Sequence, residues 1–194
     1  MVLGVILIAI VILILVGFVL FSLNPDLKSQ ITVGNISANA LSSFDNKVSN
    51  FKKGILDAAE AKQRNEFVLS LSEDEINSKI VQMLAEGSAP FKDLKISLQG
   101  NLLRAYLALK SSEFNAKMGF VAKPEVVKGQ VNVRLTEFQL GKLPLHESAY
   151  KRTEDILNIL INAQSPINDL PVEIKSIEIS NNSLVLKVIS KPAG

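Results

Sequence analysis

Apolar residues along this chain follow three rhythms, and each predicts a different kind of element. From Val2 to Leu23 the run VLGVILIAIVILILVGFVLFSL is apolar all round, and no charge appears before Asp26. A helix rising ~1.5 Å per residue needs about 20 such residues to cross a ~30 Å hydrocarbon core. We therefore expect a transmembrane anchor over residues 1–24. A cleaved signal peptide fits less well, because its apolar core spans only about 7–15 residues and follows a basic head that this chain lacks.

The segment NPDLKSQITVGNIS is polar and rich in helix breakers, and is expected to be a juxtamembrane linker. Beyond it Leu41, Phe44, Val48, Phe51, Ile55 and Ala58 recur at steps of three and four, the spacing of a helix with one apolar stripe. Linker and stalk helix together fill residues 25–65. The stripe either packs on its own domain or along the membrane, or pairs with a second copy of the stalk.

From Phe67 the rhythm becomes two. Phe67, Leu69 and Leu71 predict a strand, and Ser72-Glu73-Asp74-Glu75 then carries the capping-box pattern of a helix start. The three carboxylates suit the positive end of that helix, so they are assigned to helix stability rather than to a metal or acid/base site. Alternating runs around Leu94–Leu98, Leu103–Leu109, Phe114–Ala122 and Val131–Leu140 predict a four-stranded meander, with turns at Gly100-Asn101 and Lys128-Gly129. Gly119, on the polar face of its strand, suggests a bend or bulge. A second helix from about Glu147 to Ala163 follows the corner GKLPL. Two strands close the chain, with a phase slip at Lys175-Ser176 that marks a bulge. Residues 66–194 thus form an α+β domain in the order β-α-β-β-β-β-α-β-β, one curved antiparallel sheet of about seven strands packed on two helices.

Composition narrows the function more by exclusion than by assignment. The 194 residues carry a net charge of +2 and 47% apolar residues, enough for a core. Lys and Arg are scattered and Trp is absent, which argues against nucleic acid as a partner. There is no Cys and a single His, His146, so thiolate sites, His clusters and a Cys nucleophile are excluded within one chain. No Gly-rich phosphate loop, HExxH or GxSxG occurs. We expect no enzyme, no metal and no cofactor, with His146 a surface or capping residue at the second helix.

What the domain has in plenty is apolar strand surface. Either the helices cover it completely, or the sheet curves round them incompletely and leaves an apolar groove. The candidate lining of such a groove is Phe114, Met118, Phe120, Val133, Leu135 and Phe138 on the meander, with Ile156 and Leu160 on the second helix.

Four stretches, FVLSLSEDEINSKIVQML, LKISLQGNLLRAYLAL, VKGQVNVRLTEFQLGKLPL and LPVEIKSIEISNNSLVLKV, resemble the YpmS-like bacterial single-pass envelope proteins. Through these the chain is more distantly similar to LmeA-type and tubular lipid-binding (TULIP-like) domains. The resemblance covers roughly residues 67 to 190. It places Leu69–Ile76 at the opening strand and helix cap and Leu140–Leu145 at the corner, where a second proline often follows and this chain has His146. It implies a single-pass cell-membrane protein whose extracytoplasmic domain binds a lipid or other apolar ligand. The positive-inside signal is nearly silent on orientation, with only Lys28 close to the run. The alternative is an envelope structural protein that docks a partner, or itself, through the stalk or a sheet edge.

Overall fold

Turn chemistry and capping put the element boundaries close to where the sequence pattern sets them. The computed structural model describes residues 23–192, apart from 88–90, 110–115, 165–166 and 168. A short helical turn, α1 (Leu27–Gln30), precedes the long helix α2 (Ala38–Glu60). Strand β1 (Glu66–Ser72) runs directly into α3 (Glu73–Ala85), with the capping box of Ser72 and Glu75 formed on both sides. The meander comprises β2 (Phe91–Gln99), β3 (Leu102–Leu109), β4 (Lys117–Val127), β5 (Gln130–Leu140) and a two-residue β6 (Leu143–Pro144). Helix α4 (Glu147–Gln164) leads to β7 (Val172–Ser180) and β8 (Ser183–Ser190). The hairpins at Gly100-Asn101, Lys128-Gly129 and Asn181-Asn182 turn on two residues that are both at positive φ, which matches the twist of the strands they join.

The α+β class is as expected, but the strands do not form one curved sheet of about seven. Among the described residues there are eight, in two antiparallel sheets, β1-β8-β7 and β2-β3-β4-β5-β6. The division arises because β1 pairs along its whole length with β8, more than a hundred residues away, instead of with its neighbours in sequence. Both sheets carry a register shift that keeps their apolar faces intact. In β7 it lies between Ile174 and Ser176, the expected phase slip. In β5 the shift leaves Thr136 as the extra residue opposite Val121–Ala122, which brings Phe138 and Leu140 onto the face of Val133 and Leu135.

Two cores result. One joins α2 to the first sheet through Phe51, Ile55, Leu186 and Val188; the other joins α4 to β4 and β5 through Ala122, Leu135, Phe138 and Tyr150. The stalk helix is therefore a core helix of the domain, because Phe51 and Ile55 of its stripe cover the apolar face of the three-stranded sheet.

Nor does the segment before α2 behave as a free linker. Leu27 is fully buried and Ile31 nearly so, against the outer face of the five-stranded sheet. Tyr106, Gly119 and Gln139 lie side by side across β3, β4 and β5. The Gln139 side chain accepts from the Leu27 N–H at 3.2 Å, and Lys28 stands 4.3 Å over the Tyr106 ring. A Cβ on Gly119 would come within 2.9 Å of the Leu27 Cβ. Gly119 is thus a point of close approach, and the bulge expected there lies at Val121–Ala122 instead.

The Val2–Leu23 run lies outside the described residues up to position 22. Among the described residues no helix is long and apolar enough to cross a membrane.

Candidate functional site

The apolar face of the first sheet is built by alternation. Phe67, Leu69 and Leu71 on β1 stand opposite Val188, Leu186 and Leu184 on β8, with Ile174, Ile177 and Ile179 beyond them on β7. Helix α2 crosses this face unevenly. Ile55 is completely buried and Phe51 is 8% exposed, whereas Val48 and Phe44, one and two turns earlier, are only half-buried. The helix is close to the sheet at its C-terminal half and stands off it towards its N-terminus.

Polar links tie this half of α2 to β1 and to α3, beginning with Lys47 Nζ, which donates to the Ser70 carbonyl at 3.0 Å. Ser43 donates to Glu75 Oε1, Lys47 Nζ reaches the same carboxylate at 2.8 Å, and Lys79 pairs with Asp45 at 2.9 Å. Glu75 is 5% exposed and also accepts from the Ser72 N–H as part of the capping box. Burial alone pushes its carboxyl up, but the bonds from Lys47, Ser43 and the Ser72 backbone outweigh that and hold it below the ordinary value. The three carboxylates of this helix start all have structural duties, as expected: Glu73 accepts from the Leu98 N–H and Asp74 from the Asn35 N–H.

Between the lifted half of α2 and the sheet lies a cavity of about 310 Å³. Its lining is almost entirely hydrocarbon. Phe44, Val48 and Phe51 supply one wall, Leu69, Ile177 and Leu186 are part of the opposite one, and Val131 of β5 and Ile161 of α4 close one end. Among the described residues Lys52 is the one ionisable side chain in the lining. The volume is at the lower end of the ~300–1,000 Å³ typical of small-molecule pockets.

The groove residues expected from sequence are placed elsewhere. Met118, Phe120, Val133, Leu135 and Phe138 pack beneath α4 with Tyr150 and Leu157, and none of them lines the cavity. Phe114 lies outside the described residues, as do the side chains of Ile156 and Leu160. The two regions nevertheless join. Val131 continues the face of Val133, and Ile161 lies one turn beyond Leu157, so the core under α4 opens into the cavity at its end.

Helix α4 covers β5 through a device that periodicity does not reveal. Asn158 accepts from the Val133 N–H at 2.7 Å and donates to its carbonyl at 3.1 Å, and Glu154 accepts from the Leu135 N–H at 2.7 Å. Helix α3 does the same to the other edge of the sheet. Asn77 brackets both backbone groups of Ile96 and Glu73 takes the Leu98 N–H. In the sequence the device appears twice as Glu-Asp-x-x-Asn, at Glu73–Asn77 and Glu154–Asn158.

His146 precedes α4, and its Nδ1 accepts from the Ser148 N–H at 3.4 Å, a capping contact at an exposed site. No family model matches the chain, and neither a curated protein nor a solved structure matches it.

Proposed function

We propose that this chain is a membrane-anchored lipid-binding protein, held by the Val2–Leu23 run with residues 24–194 on the extracytoplasmic side, as the resemblance to YpmS-like envelope proteins implies. The observation that carries this reading is the hydrocarbon-lined cavity between α2 and the three-stranded sheet. Each methylene kept out of water there is worth about 0.8 kcal/mol. That term does not pull a chain from a bilayer, where it is already dry, but it lets a chain that has left the bilayer stay out of water. The competing reading, docking of a partner through the stalk, loses support because α2 turns Phe51, Ile55 and Ala58 into its own domain.

The test is native mass spectrometry of the full chain released from mild detergent micelles, comparing wild type with Val48→Trp, which fills the cavity from a half-buried helix position. The expected result is a one-to-one lipid adduct that the variant loses. An adduct retained equally by both, or absent from both, refutes the reading. Protease accessibility in intact cells tests the orientation separately.

A further inference from the structure

We propose, on the footing of the lipid-binding reading above, that the ligand is an amphiphile with a single hydrocarbon chain and an anionic head, carboxylate or phosphate monoester, whose charge sits at Lys52. Among the described residues Lys52 is the only ionisable one lining the cavity, and the rest of that lining is hydrophobic. Its half-buried side chain therefore gives the cavity a hydrocarbon stem and leaves the ammonium at the mouth, in the manner of a snorkelling lysine.

The charge there is uncommitted. Lys47, five residues earlier on the same helix, is neutralised by Glu75, and Lys28, Arg64, Lys79, Lys142, Lys175 and Lys187 each have a carboxylate within ion-pair distance. Among the described residues none pairs with Lys52. Among the described residues no carboxylate lines the cavity to receive a cationic head, so a quaternary ammonium would find no counter-charge from them. The cavity volume of about 310 Å³ suits one chain rather than two. Because the ammonium is hydrated, the head contributes preference rather than the bulk of affinity, about two- to fivefold for one half-exposed ion pair.

The experiment uses the full chain in phosphatidylcholine nanodiscs. Diazirine-bearing analogues of a fatty acid, the matching fatty alcohol, a lysophosphatidate and a lysophosphatidylcholine are each photolysed, and labelled cavity peptides are quantified by mass spectrometry. The acid and the lysophosphatidate are expected to label those peptides about two- to fivefold more than the alcohol. Whichever of the two leads identifies the head. Lys52→Met, which keeps the stem, should erase the difference while alcohol labelling persists, and Lys52→Glu should reverse it. Lys53→Glu, on the exposed side of the helix, should leave it intact. Equal labelling by all four amphiphiles, or a Lys52→Met variant that weakens the alcohol as much as the acid, overturns the head-group assignment while the cavity stands. Absence of label from the cavity peptides with every analogue overturns the lipid-binding reading, and this one with it.

Discussion

Replacing Asn77 should expose how much of the fold depends on closing the edge of the five-stranded sheet. Its side chain is 2% exposed; it accepts from the Ile96 N–H at 3.0 Å and donates to the Ile96 and Glu73 carbonyls at 2.7 and 3.0 Å. Asn77→Ala leaves two β2 backbone groups under α3 without partners, and each such group costs about 1–3 kcal/mol. A loss of about 2–4 kcal/mol is expected once water reaching the strand edge is allowed for. Asn77→Asp is the sharper variant. It keeps an acceptor for the N–H but sets a carboxylate oxygen against two carbonyls. At neutral pH it should be at least as destabilising as alanine. It should then recover as pH falls, because the protonated acid can donate to the Ile96 carbonyl again.

Urea unfolding of the full chain in mild detergent, followed by far-ultraviolet circular dichroism, gives the magnitude, and hydrogen exchange at the Ile96 amide gives the locality. Asn158→Ala should cost less, about 1–2 kcal/mol, because Asn158 is half-buried and water can replace part of its bonding. If both alanine variants stay within about 0.5 kcal/mol of wild type and the Ile96 amide remains protected, solvent serves these edges as well as the side chains do, and the reasoning is wrong.

Gly119→Val should push residues 24–31 off the sheet without breaking the strand, since its Cβ would meet both Leu27 and Pro25; new tryptic cleavage after Lys28 in the folded chain reports it, and an unchanged digest counts against the docking. Leu27→Ala should act in the same direction, at a cost of about 2–5 kcal/mol for a fully buried leucine measured in the same urea assay. Glu75→Gln should cost about 1.5–3 kcal/mol at pH 7, the worth of a charged hydrogen bond. Since the folded Glu75 carboxyl is depressed, its stabilisation is complete above the ordinary value of 4.5 and is lost as pH falls through the lower folded value. The variant should therefore show a flatter acid limb in a stability–pH series than wild type. His146→Ala should cost about 1 kcal/mol or less, as an exposed cap, in thermal unfolding.

Local chemistry was legible in the sequence wherever neighbours decide the outcome. The Ser72–Glu75 cap, the hairpins at Gly100-Asn101 and Lys128-Gly129 and the slip at Lys175–Ser176 all follow from residues within a turn of one another, and all stand where expected. Long-range pairing was not legible. Nothing in the alternation of Phe67, Leu69 and Leu71 says that their partners are Val188, Leu186 and Leu184 rather than a neighbouring strand. That the cavity lies away from Met118, Phe120, Val133, Leu135 and Phe138 has a related reason. A period of two shows that Phe120, Val133 and Phe138 share an apolar face, but not which helix covers it, and α4 covers it. The cavity lies under the N-terminal half of α2, which Lys47 and Ser43 tie to Glu75, a carboxylate that reads in sequence only as a good helix start. The Glu-Asp-x-x-Asn repeat was the one visible signal missed, and it would have paired each helix with its edge strand.

The docked segment between residues 24 and 31 bears on how the whole protein moves. A flexible tether spanning from there to α2 would let the domain wander over roughly 20 Å and tumble freely with respect to its attachment point. With Leu27 sunk beside Gly119 and its N–H on Gln139, the chain instead emerges from a fixed place on the sheet at a fixed heading. On the proposed lipid-binding reading, the mouth of the cavity would keep a constant angle to that exit point, so that capture of a chain would be governed by steering of a rigid body rather than by diffusion on a leash.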